Sequence, residues 1–146
     1  MSSDPQPIEF QLKGISTTKF SYDQGNFISH EEKTVIAFGA EVNVNFDDLL
    51  VGMSASFSFE QKNNEILSMT CNCHFKLASG YWDLCVNNNQ LHLNEQLLTH
   101  LLVLTIGTSR GILHERKPSW LSKLMLPTIN VTEIFKDELI FTIQEE

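Results

Sequence analysis

The residues best suited to chemistry are Cys71, Asn72, Cys73 and His74, with Cys85 a short way downstream. Two thiols and an imidazole are the groups of a soft-metal, redox or nucleophilic site. Their spacing argues against all three. Zinc sites usually draw thiolate pairs from turns with C-x₂₋₄-C spacing, whereas here one residue separates the thiols within an alternating segment. On a strand, Cys71 and Cys73 project to one face and His74 to the other. Both thiols fall on the apolar parity, where cysteine behaves as a small hydrophobe. No G-x-S-x-G, phosphate-binding glycine loop or H-E-x-x-H is present. Glu31-Glu32 and Asp47-Asp48 are adjacent carboxylates in turn-like segments, the usual setting of solvated charge. The expectation is no enzyme, no metal and no cofactor.

The elements around these residues are set by period. Ile8, Phe10 and Leu12 share one parity, resumed at Phe20 and Tyr22. Ile36, Phe38, Ala40, Val42, Val44 and Phe46 alternate with polar residues, as do Leu49 to Phe59 and Leu67 to Leu77. Period two marks strands with one buried face. Polar connections at Asp47-Asp48 and Gln61 to Glu65 suit hairpins. A four-stranded antiparallel meander over 8–77 follows, with 1–7 a disordered tail and 78–93 a connection. Residues 94–146 read as helical: a long helix from an Asn94 N-cap to about Lys117, stopped by Pro118, then a last helix from Asn130, whose spacing to Glu133 is that of a capping box. The chain is one α+β domain, its two helices packed on the sheet.

The long helix is apolar nearly all round, through Leu97, Leu98, Leu101, Leu102, Val103, Leu104 and Ile106. A surface helix keeps one polar face, so one side suits the sheet and the other a second subunit. Leu97, Leu101, Leu104, Gly107 and Gly111 are the candidate interface residues. Gly107 and Gly111 either permit close helix approach or break the helix at Gly107. Phe38, Val42, Val44, Phe46, Tyr81, Trp82, Trp120 and Leu121 lie on strands or connections at the sheet rim. They either line a groove for extended peptide or complete the core.

The 146 residues are 42% hydrophobic and only 19% charged, with a net charge of −8. An acidic chain argues against nucleic-acid binding by phosphate neutralisation. Three cysteines without framework spacing suit a reducing compartment. The polar start, without a secretory signal, and an apolar run limited to Leu97–Ile106 point to a cytoplasmic protein with no membrane insertion. Charge is segregated: 107–126 hold Arg110, Arg116, Lys117 and Lys123 against Glu115, while the carboxyl end is acidic. Such separation can steer partners.

Several segments together resemble the SecB chaperone family. Leu124-Met-Leu-Pro-Thr-Ile-Asn-Val-Thr-Glu-Ile-Phe135 is similar to the family's loop into its last helix, and Thr108 to Leu113 to its arginine-bearing helix stretch. Ile8 to Leu12, Phe20 to Asp23 and Glu41 to Phe46 resemble its first two strands. The resemblance spans about 8–143 and rests on element order rather than one motif. It implies a dimer of dimers and an ATP-independent holdase for unfolded polypeptide clients, acting in protein export. It places Phe38 at an aromatic position of the crossover segment, and Val42 and Val44 in the client groove. It also places Asp23 at a docking position for the SecA motor, but Lys19 and Ser68 stand where two further acidic residues would be. Sign reversal weakens a charge-matched interface. The alternative is a SecB-like protein dedicated to one partner, such as an antitoxin, without SecA docking.

Overall fold

A computed structural model of the chain describes residues 10–143. The expected amino-terminal tail and the strand start at Ile8 lie outside the described residues. Four long strands, β1 (Phe10–Tyr22), β2 (Val35–Asn45), β3 (Leu50–Gln61) and β4 (Asn64–Leu77), form one antiparallel sheet. Their order is β1-β4-β3-β2, so only β2–β4 form a meander, and β1 sits on the far side of β4. This corrects the expected chain-order meander. The cause is the segment 23–34, which is not a tight hairpin but is laid across the end of the β3–β4 hairpin. Asp23 N donates to Ile66 O at 3.0 Å, and Asn26 Nδ2 to Glu65 O at 2.8 Å. Gln61 is buried beneath the same segment. Its Oε1 accepts from Ile28 N at 2.8 Å, and its Nε2 donates to Ser29 O at 2.9 Å.

β3 and β4 supply the core. Val51, Met53, Ala55, Phe57 and Phe59 on one, and Leu67, Met69, Cys71, Cys73, Phe75 and Leu77 on the other, are buried. The opposite face of these strands carries hydroxyls and amides, tied across the strands by Ser54–Asn72 and Ser56–Thr70 hydrogen bonds. β1 departs from simple alternation. Register shifts between Leu12 and Gly14 and between Thr17 and Lys19 make Phe10, Gly14, Thr17 and Phe20 its covered positions, and leave Leu12 and Ile15 exposed. Each bulge adds a residue and resets the parity. The β3–β4 turn runs through Lys62 and Asn63, both at positive φ, as two-residue hairpin turns require.

Helix α1 (Ser79–Cys85) and a hairpin of β5 (Val86–Asn87) and β6 (Gln90–Leu93) occupy the expected connection, the hairpin turning on Asn88 and Asn89 at positive φ. Helix α2 (Glu95–Arg116) lies over β3 and β4. Asn94 caps it, its Oδ1 accepting from Leu97 N at 2.8 Å, and the helix runs unbroken through Gly107 to Pro118.

Among the described residues the expected last helix is absent. Asn130 caps only a 3₁₀ turn, Val131–Glu133, and Leu139–Thr142 forms β7 against β6. Leu139 and Phe141 pair with Leu93 and Leu91. The open edge of β6 offers a buried leucine row, and the run Leu139 to Thr142, rich in aliphatic, aromatic and β-branched residues, matches it at period two. The α+β class stands; its second helix is the short α1, and the carboxyl end completes a three-stranded sheet, β5-β6-β7.

Candidate functional site

Two half-exposed apolar surfaces lie outside the core. The first is an aromatic cluster where β1, the segment 23–34 that crosses from β1 to β2 (the crossover segment; Phe38 lies beyond it, on β2) and the end of α2 meet. Trp120, on a 3₁₀ turn after Pro118, stands 5.8 Å from the Tyr22 ring and 5.3 Å from Phe27. Phe27 in turn meets His30 at 5.1 Å, and Phe20 meets Tyr22 at 6.4 Å. The Arg116 guanidinium lies 4.5 Å from the centre of the Phe20 ring, a cation–π contact. Gln61 holds the crossover segment in place through the hydrogen bonds described above.

The second surface is strand β2. Ile36, Phe38, Ala40, Val42 and Val44 face the core side of the sheet, yet are only half buried, because α2 covers β3 and β4 and stops short of them. The Phe38 ring lies 5.1 Å from Phe57. Among the described residues no strand pairs with the outer edge of β2. The row starts at the end of the sheet that carries the aromatic cluster. It runs to Phe46, whose ring meets Trp82 at 6.2 Å at the other end. An extended chain repeats its side chains every second residue, so the row has the period to receive one.

The structure divides the expected groove residues. Phe38, Val42, Val44, Phe46, Tyr81 and Trp120 are half buried. Trp82 and Leu121 belong to the core, so they are corrected from groove to core residues. The expected subunit-interface set divides likewise. Leu97 and Leu101 are fully buried on the sheet-facing side of α2 and unavailable to a partner, whereas Leu104, Gly107 and Gly111 are exposed. Val103 (47% exposed) joins Leu104 (40%) on the outer face. Missed by sequence reasoning were Phe27, His30, Arg116 and Gln61. The one available signal was Gln61, a polar residue on the buried parity of β3.

Asp23 is exposed but locally engaged, its Oδ1 accepting from Gly25 N at 2.9 Å. The thiols lie as the alternation placed them, Cys71 and Cys73 buried and His74 on the other face. The Cys71 thiol is pushed up by its hydrogen bond with Cys73 and by burial, and the same contact lowers Cys73. Ser109 and Thr105 of α2 close over the pair. Burial also raises Cys85 and Tyr81, which stand beside each other. Among the described residues no three histidine, cysteine or acidic side chains gather as a metal set, and no helix is long and apolar enough to cross a membrane. No family model matches this chain, and no curated protein does either.

Proposed function

We propose that this protein is a SecB-like, ATP-independent holdase that binds extended segments of unfolded polypeptides in the cytoplasm. The observation that supports it is the half-exposed row on β2, an edge strand whose outer side meets no other strand among the described residues. Main-chain pairing to such an edge gives affinity for any sequence, and alternate side chains add apolar contact. The aromatic cluster at one end supplies rigid, amphipathic surface for the same task. Oligomerisation, as a dimer of dimers, is assigned to the outer face of α2 around Val103 and Leu104.

The test is suppression of aggregation of several chemically unfolded proteins at stoichiometric ratio. Suppression is expected from the full chain. Trp120→Ala is expected to weaken it about three- to tenfold, as loss of an aromatic pair would, with a smaller change in melting temperature. Unchanged aggregation across all clients would overturn the holdase reading. A parallel fall of melting temperature and suppression would move Trp120 to the core.

A dedicated single-partner role is favoured over motor docking by the Asp23 surroundings. Its carboxylate already caps a turn, Lys19 is exposed nearby in sequence, and Ser68 is buried. Co-purification of one protein at fixed ratio would support that role.

A further inference from the structure

A cavity of about 320 Å³ lies between the second half of α2 and the loop that follows it. It is separate from β2 and from the aromatic cluster. Gly107 and Gly111 lie on its helix wall, Leu124 and Met125 on its loop wall, and Arg110, His114 and Lys117 are among its other lining residues. Its size is at the lower end of the range of ligand sites.

Three observations bear on what fills it. A Cβ added at Gly107 or Gly111 would meet nothing within 4 Å. Glycine weakens a helix interior relative to alanine, so both positions carry a cost that no packing among the described residues explains. Met125 is 70% exposed at the mouth, an adaptable apolar side chain of the kind used on binding surfaces. Arg110, His114 and Lys117 recur at one face of the helix, and among the described residues no carboxylate lines the cavity. Arg110 Nη2 donates to Pro127 O at 3.2 Å, and Lys117 Nζ donates to Ser122 O and Leu124 O. Among the described residues neither cation has a carboxylate at ion-pair distance, although the chain has 18 acidic residues against 10 basic ones. Among the described residues the cations hold the loop by neutral carbonyls and meet no carboxylate.

We propose that this cavity binds a peptide segment in which aliphatic and acidic side chains alternate, the aliphatic group filling the space over Gly107 and Gly111 and a carboxylate meeting Arg110. Guanidinium and carboxylate pair by charge-assisted hydrogen bonds, and Arg110 has donors left after its single carbonyl contact. The site stands without the holdase reading, since it uses none of the β2 or aromatic-cluster residues.

The experiment is fluorescence anisotropy of the full chain with labelled synthetic peptides, one alternating leucine and glutamate, one leucine and lysine, and one serine and glutamate. The leucine–glutamate peptide is expected to bind at least about tenfold tighter than either other, the worth of one charge-assisted hydrogen bond or one buried aliphatic group. Gly111→Leu fills the cavity without touching a charge, and Arg110→Gln keeps a donor but removes the charge. Each is expected to lower affinity about tenfold while helical content is retained. Trp120→Ala is expected to leave peptide binding unchanged even as it reduces aggregation suppression, so the two readings fail separately. Equal binding of the leucine–glutamate and leucine–lysine peptides, or insensitivity to both cavity variants, would overturn the proposal. So would displacement of the peptide by decanoate at lower concentration, which would make the occupant a small amphiphile. A fall in mass by light scattering in Gly111→Leu would make it a second copy of the chain.

Discussion

Gln61 lies on the apolar parity of β3, two residues past Phe59, and is 1% exposed. Its amide is satisfied at both ends by the crossover segment: Ile28 N donates to it, and it donates to Ser29 O and Thr34 Oγ1. Gln61→Leu keeps the volume but takes away the acceptor of Ile28 N and leaves Ser29 O with the Glu32 N–H alone. The expected cost is about 1–3 kcal/mol, measured by urea unfolding, with faster proteolytic cutting in 28–34. Serine or leucine at an aromatic position such as Phe27 would test the cluster, but Gln61 tests what positions it. Read from sequence, Gln61 began a polar connection. Its neighbours Phe57 and Phe59 were already assigned to the buried face, and continuing that parity by one step would have flagged a buried polar group that must have partners. Phe27 gave no such signal, because it lies in a segment without period and meets Trp120 only through the tertiary fold.

At the scale of elements, the strands and α2 were legible because period and caps agree. Asn94 both begins the apolar helix and supplies its cap. The failure at the carboxyl end has a physical source. Asn130 and Glu133 have the spacing of a capping box, and a cap needs a helix-forming run behind it. Lys136 to Glu138 is polar, and Leu139 to Thr142 finds a better partner in the open edge of β6. Tertiary pairing overrode a local signal. The division of α2 into faces was also hidden, since seven apolar residues surround it without a polar side to orient the reading. Two substitutions separate the faces. Leu101→Glu places a charge in the core and is expected to unfold the chain, by several kcal/mol. Leu104→Glu, 40% exposed, is expected to keep the fold and to yield smaller species by light scattering. An unfolded Leu104→Glu would place that residue in the core instead.

For the molecule as a whole, stability and pH are linked through its buried acids. Within the Cys71–Cys73 pair the shared hydrogen bond moves the two thiols in opposite directions, whereas Cys85 and Tyr81 are both raised by burial and act with one sign. A group raised in the folded state favours folding while protonated. That contribution is complete below the unfolded thiol value of about 8.5 and is lost as pH climbs through the folded values. The urea midpoint is therefore expected to fall between about pH 7.5 and 10, and Cys85→Ala to flatten part of the fall. A midpoint independent of pH, or one that rises, would contradict this. The strand order carries a different consequence, in time rather than energy. β2, β3 and β4 are neighbours in sequence as well as in the sheet, and close by short turns as soon as they exist. β1 leaves the ribosome before all of them, yet its partner is β4, the last of the four to be made. During synthesis residues 10–22 must stay unpaired until residues 64–77 emerge, and non-local pairing of this kind is slow. A protein proposed to guard the unfinished chains of others thus passes through an interval in which its own first strand is one of them.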